Sequence, residues 1–235
     1  MNKIESGIEG FDKLLYGGIP EGRAYLVSGE PGTGKTIFTM QYLVHGLQLG
    51  EKATYISIDE KPEHVIADCT ALGWDINRFL ENGQLQIIDI TRFFSSMTNS
   101  TGTKSISHVI DDILGVVKQS GATRLGIDPI APLIFSEADQ AVVVEYIRKL
   151  IFSLEEHGDC TTLLTSYVPV GSEKVSSIGI EEFAASGIIV LRLIRLNNKR
   201  IRTIGVRKMR GTRIDLTEYS FEILPQRGLI LRQPI

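Results

Sequence analysis

At 235 residues, with 43% hydrophobic and 23% charged residues, the chain suits one α/β domain with a large buried core. A formal net charge of −3 and a pI near 5.9 argue against a global basic field that would draw it to nucleic acid or an anionic membrane. No apolar run reaches the roughly 18 residues of a membrane span, the opening MNKIESGIEGFDKLL lacks the apolar core of a signal peptide, and Cys69 and Cys160, far apart and in no metal-ligand pattern, read as buried thiols of a cytoplasmic protein.

In chain order, Ala24–Ser28 reads as a strand and Lys35 to about Leu49 as the helix after it. Ala53–Ile58 is the next strand, with a helix from Pro62 to about Leu72, then a strand at Leu85–Ile90. Phe93–Lys104 (FFSSMTNSTGTK) is too rich in Ser, Thr and Asn to bury much apolar surface and reads as a loop. His108–Gln119 is helical, and Arg124–Ile127 leads into Asp128 as a strand. Asp139–His157 places Val142, Val143, Tyr146, Ile147, Leu150, Ile151 and Leu154 at helical spacing, ahead of a strand at Thr161–Ser166. Strands alternating with helices predict a mostly parallel central sheet covered by helices on both faces. The last part lacks that alternation: Gly187–Ile194, Arg200–Lys208 and Tyr219–Leu224 predict an antiparallel extension of the same sheet. One domain over 1–235 is therefore expected.

Between the first strand and its helix, Gly29-Glu30-Pro31-Gly32-Thr33-Gly34-Lys35-Thr36 matches the phosphate-loop pattern G-x-x-x-x-G-K-[ST] in full. Glycines let the backbone curl its N–H groups toward phosphate oxygens, and the helix adds the positive end of its dipole. Lys35 reaches the β- and γ-phosphates, and the Thr36 hydroxyl suits Mg²⁺. The expected ATP-binding set is Gly29, Pro31, Gly32, Thr33, Gly34, Lys35, Thr36 and Ile37. Asp128, ending an apolar strand, is the second expected Mg²⁺ residue, although such an Asp also commonly opens a turn. Asp59 and Glu60 close another strand. In a parallel sheet they face the same crevice as the phosphate loop, where Glu60 could polarise the attacking water with Asp59 beside it. The same pair placed before Pro62 would equally serve as a helix N-terminal acid pair.

With these motifs in view, Ser6-Gly7-Ile8-Glu9-Gly10-Phe11-Asp12, Gly17-Gly18-Ile19-Pro20 and the phosphate loop resemble the opening of a RecA-type domain of the KaiC family. The resemblance continues through Asp59-Glu60-Lys61-Pro62, Gly73-Trp74-Asp75 and Gly179 to Arg192 (GIEEFAASGIIVLR), and ends with Lys208-Met209-Arg210-Gly211-Thr212. It implies a RecA-like P-loop fold, ATP hydrolysis with Glu60 as base, and a ring of usually six subunits with ATP between neighbours. Where the family commonly has Glu-Glu, this chain has Asp59-Glu60. The resemblance also implies that Lys208, Met209, Arg210 and Thr212 contact ATP from the neighbouring subunit, with Arg210 catalytic. These residues lie in a stretch of nine cations, Arg192 to Arg213, that holds no acid. That stretch reads equally as a solvated strand pair, and it lacks the interleaved aromatics of a nucleic-acid surface. A RecA-type DNA motor, a nucleotide-gated scaffold and a clock-type autokinase are the alternative functions. For the last, the acceptor Ser-Thr pair of the self-phosphorylating KaiC half falls on Glu182 and Phe183, neither of which offers an acceptor hydroxyl. A regulatory protein partner fits the leading reading of an oligomeric ATPase acting as a timer or switch.

Overall fold

The structure is a computed structural model that describes residues 2–90, 106–130, 140–156, 160–172, 174–177 and 179–235. The loop expected at Phe93–Lys104, and the expected helix ends at Asp139 and His157, lie outside them. Among the described residues, no helix is long and apolar enough to cross a membrane.

The chain opens with β1 (Lys3–Ile4), α1 (Phe11–Leu14) and β2 (Ile19–Pro20), then β3 (Ala24–Gly29) and α2 (Lys35–Gln48). β4 (Ala53–Ser57), α3 (Pro62–Ala71), α4 (Asn77–Glu81) and β5 (Leu85–Asp89) follow. Next come α5 (Ile106–Ser120), β6 (Arg124–Asp128), α6 (Gln140–Glu156) and β7 (Thr161–Tyr167). The chain closes with α7 (Glu181–Ala184), β8 (Gly187–Leu196), β9 (Lys199–Met209), β10 (Tyr219–Leu224) and β11 (Gly228–Pro234).

β3 to β11 form one sheet in the order β11-β10-β9-β8-β3-β7-β6-β4-β5. Its six strands from β8 to β5 are parallel, and β9, β10 and β11 run antiparallel beyond β8. This corrects one expectation. The strand at Gly187–Ile194 is not part of the antiparallel extension but pairs parallel with β3, because the short α7 supplies the crossover. The extension instead gains β11, whose few apolar residues after the Pro225–Arg227 turn carry too weak a periodic signal to read alone.

Period-two alternation divides the core. On β3, Tyr25 and Val27 pack beneath α2, whereas Ala24 and Leu26 pack toward α6 and α7. The helix after the phosphate loop buries residues on most of its faces. Gln41 on that helix donates its amide to the carbonyls of Gly7 (2.9 Å) and Arg227 (3.2 Å), and accepts the Leu229 N–H at 2.7 Å. It thereby fastens α2 to both the opening segment and the final hairpin.

Arg124, fully buried at the start of β6, packs against the C-terminal half of α2. Its guanidinium makes a bidentate pair with Glu51 (2.7 and 2.9 Å), donates to the carbonyls of Glu5 and Tyr42, and stacks 4.7 Å from the Tyr42 ring centre. Gly46 leaves room for it, since a methyl there would overlap Arg124 Nε and Cδ. Helix propensity alone favours Gly46→Ala by about 1 kcal/mol. We expect the reverse, a loss of about 1–3 kcal/mol from overpacking against a cation fixed by four hydrogen bonds. Urea unfolding checks this, and a stabilised variant would contradict the packing.

Candidate functional site

The phosphate-loop motif forms the turn between β3 and α2. Gly32 (φ 79°) and Gly34 (φ 103°) adopt the left-handed backbone that the curl requires. Thr33 donates its hydroxyl to the Glu30 carbonyl at 2.8 Å, which closes the turn. Lys35 lies folded over the loop, its Nζ donating to the carbonyls of Gly29 (2.9 Å) and Glu30 (3.1 Å). Burial lowers the Lys35 pKa, and the nearby Asp128 charge partly offsets this.

Asp128 ends β6 next to the loop. The Thr36 hydroxyl donates to its Oδ2 at 2.6 Å, the Tyr55 hydroxyl donates to the same oxygen at 2.8 Å, and Thr165 donates to Oδ1. Three hydroxyls from α2, β4 and β7 thus converge on one buried carboxylate. The two expected metal residues, 92 positions apart, are in direct contact. Among the described residues, no group of three His, Cys, Asp or Glu side chains is arranged to hold a metal by itself. A Mg²⁺ here fits only as one held by the Thr36–Asp128 pair, with water and ligand oxygens filling the other positions.

Asp59 and Glu60 follow β4 and border the same crevice of about 310 Å³, together with Pro31, Lys35, Thr36, Asp128 and Tyr167. Burial raises the pKa of both carboxyls. The Asp128 charge adds to this for Asp59, and Asp68 followed by Asp128 does so for Glu60. Three carboxylates around one lysine make a cleft that holds an excess of negative charge and can accept a cation. On the far side of the loop lies a second crevice of about 350 Å³, with an apolar wall that includes Met40, Val65, Leu72, Trp74 and Ile223. Ile37 and Glu60 also border it.

Lys208, Met209, Arg210 and Thr212 line neither crevice. β9 ends at Met209, so strand alternation does not extend to Arg210, yet both cations reach one place. Lys208 Nζ donates to the carbonyls of Glu182 (2.9 Å) and Ala185 (2.8 Å), and Arg210 Nη2 to that of Phe183 (3.1 Å). Both cations therefore cap the C-terminal end of α7. Burial and the Arg210 charge lower the Lys208 pKa. Met209 is buried against Gly187, and Thr212 donates to the Leu15 carbonyl at 3.1 Å.

Sequence reasoning overlooked several residues. Tyr55 and Thr165, which hold Asp128, looked like ordinary strand residues. Arg202 donates from β9 to the Gly32 carbonyl at 3.3 Å, but in the sequence it was one cation among nine. The apolar crevice wall gathers residues from α2, α3 and β10, which no local pattern connects.

Comparison with known proteins agrees with the geometry. The profile of the family described as "ATPase: KaiC" matches residues 4–234. The circadian clock protein KaiC3 of Synechocystis sp. is 31% identical over 231 residues, 98% of this chain and 46% of that protein. The circadian clock oscillator protein KaiC of Thermosynechococcus vestitus is 33% identical over 225 residues, 95% of this chain and 43% of that protein. The chain thus spans less than half the length of these curated relatives. A crystal structure of a KaiC-like protein from Pyrococcus horikoshii OT3 superposes with a TM-score of 0.85 at 34% identity, covering 98% of this chain and 99% of that one.

The crowding of carboxylates gives a measurable consequence. Because Asp59 and Glu60 hold their protons more tightly when folded, both cost stability as pH rises from the ordinary carboxylate range through their raised values. In Asp128→Asn, Asp59 should titrate at lower pH than in the native chain, since burial alone then raises it. A ¹³C NMR titration of the side-chain carboxyls reads this, and an unmoved Asp59 midpoint would mean the two groups do not sense each other.

Proposed function

The chain belongs to the KaiC family of ATPases, and from that premise we propose that residues 1–235 form one domain that binds ATP with Mg²⁺ at the Gly29–Thr36 loop, hydrolyses it, and acts as a nucleotide-driven switch or timer in a homo-oligomeric ring. The observation that carries the site is the Thr36–Asp128 hydrogen bond of 2.6 Å beside Lys35, at the carboxyl ends of parallel strands.

In this reading the loop N–H groups and the start of α2 cradle the phosphates, and Lys35 leaves the loop carbonyls for the β- and γ-oxygens. Thr36 and Asp128 hold Mg²⁺, which when bound neutralises charge building on the phosphates. The apolar crevice beside Trp74 takes the nucleoside. Glu60, bordering both crevices, takes the proton of the attacking water, and its raised pKa brings it closer to neutrality as a base. Asp59 supports it.

Water is the phosphoryl acceptor in this proposal, since Glu182 and Phe183 carry no acceptor hydroxyl. Within one chain Lys208 and Arg210 line neither crevice beside the loop, so in this proposal they leave α7 and contact ATP across a ring interface, in trans. A DNA-binding role is disfavoured because the basic stretch lacks interleaved aromatics and part of it is used internally, Arg192 pairing with Glu218 and Arg202 with the loop. A regulatory protein partner would read the nucleotide state from the ring.

Glu60→Gln should retain ATP binding while phosphate release falls by roughly 10²-fold, the size of a lost general base. The acidic limb of the native rate profile should lie above the ordinary Glu range. Unchanged release would move the base to Asp59, and a stoichiometric phosphate on the intact chain in the same assay would make the protein a kinase.

Mass measurement with ATP and Mg²⁺ should show a ring. Lys35→Ala and Arg210→Ala subunits, each inactive alone, should regain part of the activity when mixed, because some interfaces then pair an intact loop with an intact Arg. If mixed rings form at every ratio without any recovery, Arg210 does not act in trans.

A further inference from the structure

The acid-lined crevice has one wall that the proposed chemistry leaves unused, Tyr167 at the end of β7. β7 lies between β3 and β6, so its carboxyl end opens between the phosphate loop and Asp128. Tyr167 pairs in register with Gly29, the first residue of the loop. Two residues earlier, Thr165 directs its hydroxyl at Asp128, and strand alternation places Tyr167 on that same face. The Tyr167 side chain accordingly borders Lys35, Thr36, Asp59, Glu60 and Asp128, and it is absent from the apolar crevice on the other side of the loop.

We propose that Tyr167 reads the γ-phosphate, its phenolic O–H donating to a terminal phosphate oxygen so that the site distinguishes ATP from ADP. The donors around this crevice are few. Asp59, Glu60 and Asp128 as carboxylates only accept, and the Thr36 hydroxyl is turned to Asp128. With the Tyr55 hydroxyl also turned to Asp128, Lys35 and Tyr167 are the side-chain donors of this crevice left to face a terminal phosphate. Among the described residues the half-buried Tyr167 phenol makes no hydrogen bond, so its O–H is available to a ligand in the crevice. Burial, with the Asp59 charge, raises its pKa and keeps it a protonated donor at neutral pH.

The backbone after Tyr167 is tied to the loop in two places, which sets the reach of the ring. Val168 N–H donates to the Gly29 carbonyl at 3.1 Å, and Gly171 N–H to the Glu30 carboxylate at 3.0 Å. Tyr167 is thus held in register with the loop that carries the phosphates.

This role rests on the ATP-site reading above, and the test separates the two. Tyr167→Phe removes one oxygen and keeps the ring. Calorimetry with Mg²⁺ should show its affinity for a non-hydrolysable ATP analogue falling about tenfold or more, as expected for a lost hydrogen bond to a charged oxygen. Its affinity for ADP should stay within about twofold of the native protein. Unchanged analogue binding, or equal weakening for both nucleotides, overturns the role, since a packing defect would not discriminate between them. Lys35→Ala, measured alongside, should lose both nucleotides. If it binds them as the native chain does, the ATP-site reading falls and Tyr167's role with it. If it loses them while Tyr167→Phe behaves as native, only the role of Tyr167 falls.

Discussion

Everything at the carboxyl edge of the sheet is arranged around one buried carboxylate, Asp128. A charge withdrawn from water is costly unless it is hydrogen-bonded. Asp128 meets that requirement with hydroxyls from three other elements, Thr36 of α2, Tyr55 of β4 and Thr165 of β7. None of these donors brings a positive charge, so the site is hydrogen-bonded but still anionic. The same contacts that satisfy Asp128 bring the phosphate-loop helix, two neighbouring strands and the carboxylates after β4 to one point.

Around that point the sheet order sets the chemistry. β7, inserted between β3 and β6, brings Thr165 to Asp128 and Tyr167 to the loop. β4, on the other side of β6, brings Asp59 and Glu60. Strands that neighbour in space but not in sequence create a cleft with one lysine among three acids. Burial raises the Asp59 and Glu60 pKa values, the neighbouring negative charge adds to it, and the imbalance favours a cation. Gln41 ties α2 to the opening segment and the final hairpin, and Arg124 ties it to β6.

The antiparallel end of the sheet carries a different group of cations. Lys208 and Arg210 satisfy carbonyls at the end of α7, where positive charge complements the helix terminus and the unpaired carbonyls. For either cation to serve a neighbouring subunit's nucleotide it must exchange these carbonyls for phosphate oxygens, so the stability of α7 and the completeness of a shared site would be coupled.

The amino-acid sequence by itself determined the parts of this protein that depend on near neighbours along the chain. The phosphate loop was legible because glycine spacing, Lys35 and Thr36 lie within eight positions. The main strands and helices were legible because apolar residues repeat at periods of two and 3.6. Asp59, Glu60 and Asp128 could be picked out as strand-ending acids, but whether Asp128 opened a turn, and Asp59 and Glu60 a helix, or each faced a ligand stayed open. Tertiary structure sets Asp128 against Thr36, 92 positions away. It also decided that β8 joins the parallel strands, that β11 exists, that Lys208 and Arg210 meet on α7, and that Tyr167 borders the acids. Each of these is a consequence of strand order and crossover, where residues far apart in the chain are brought together by burial of two helical layers against one sheet. No local pattern records which strand will lie beside which.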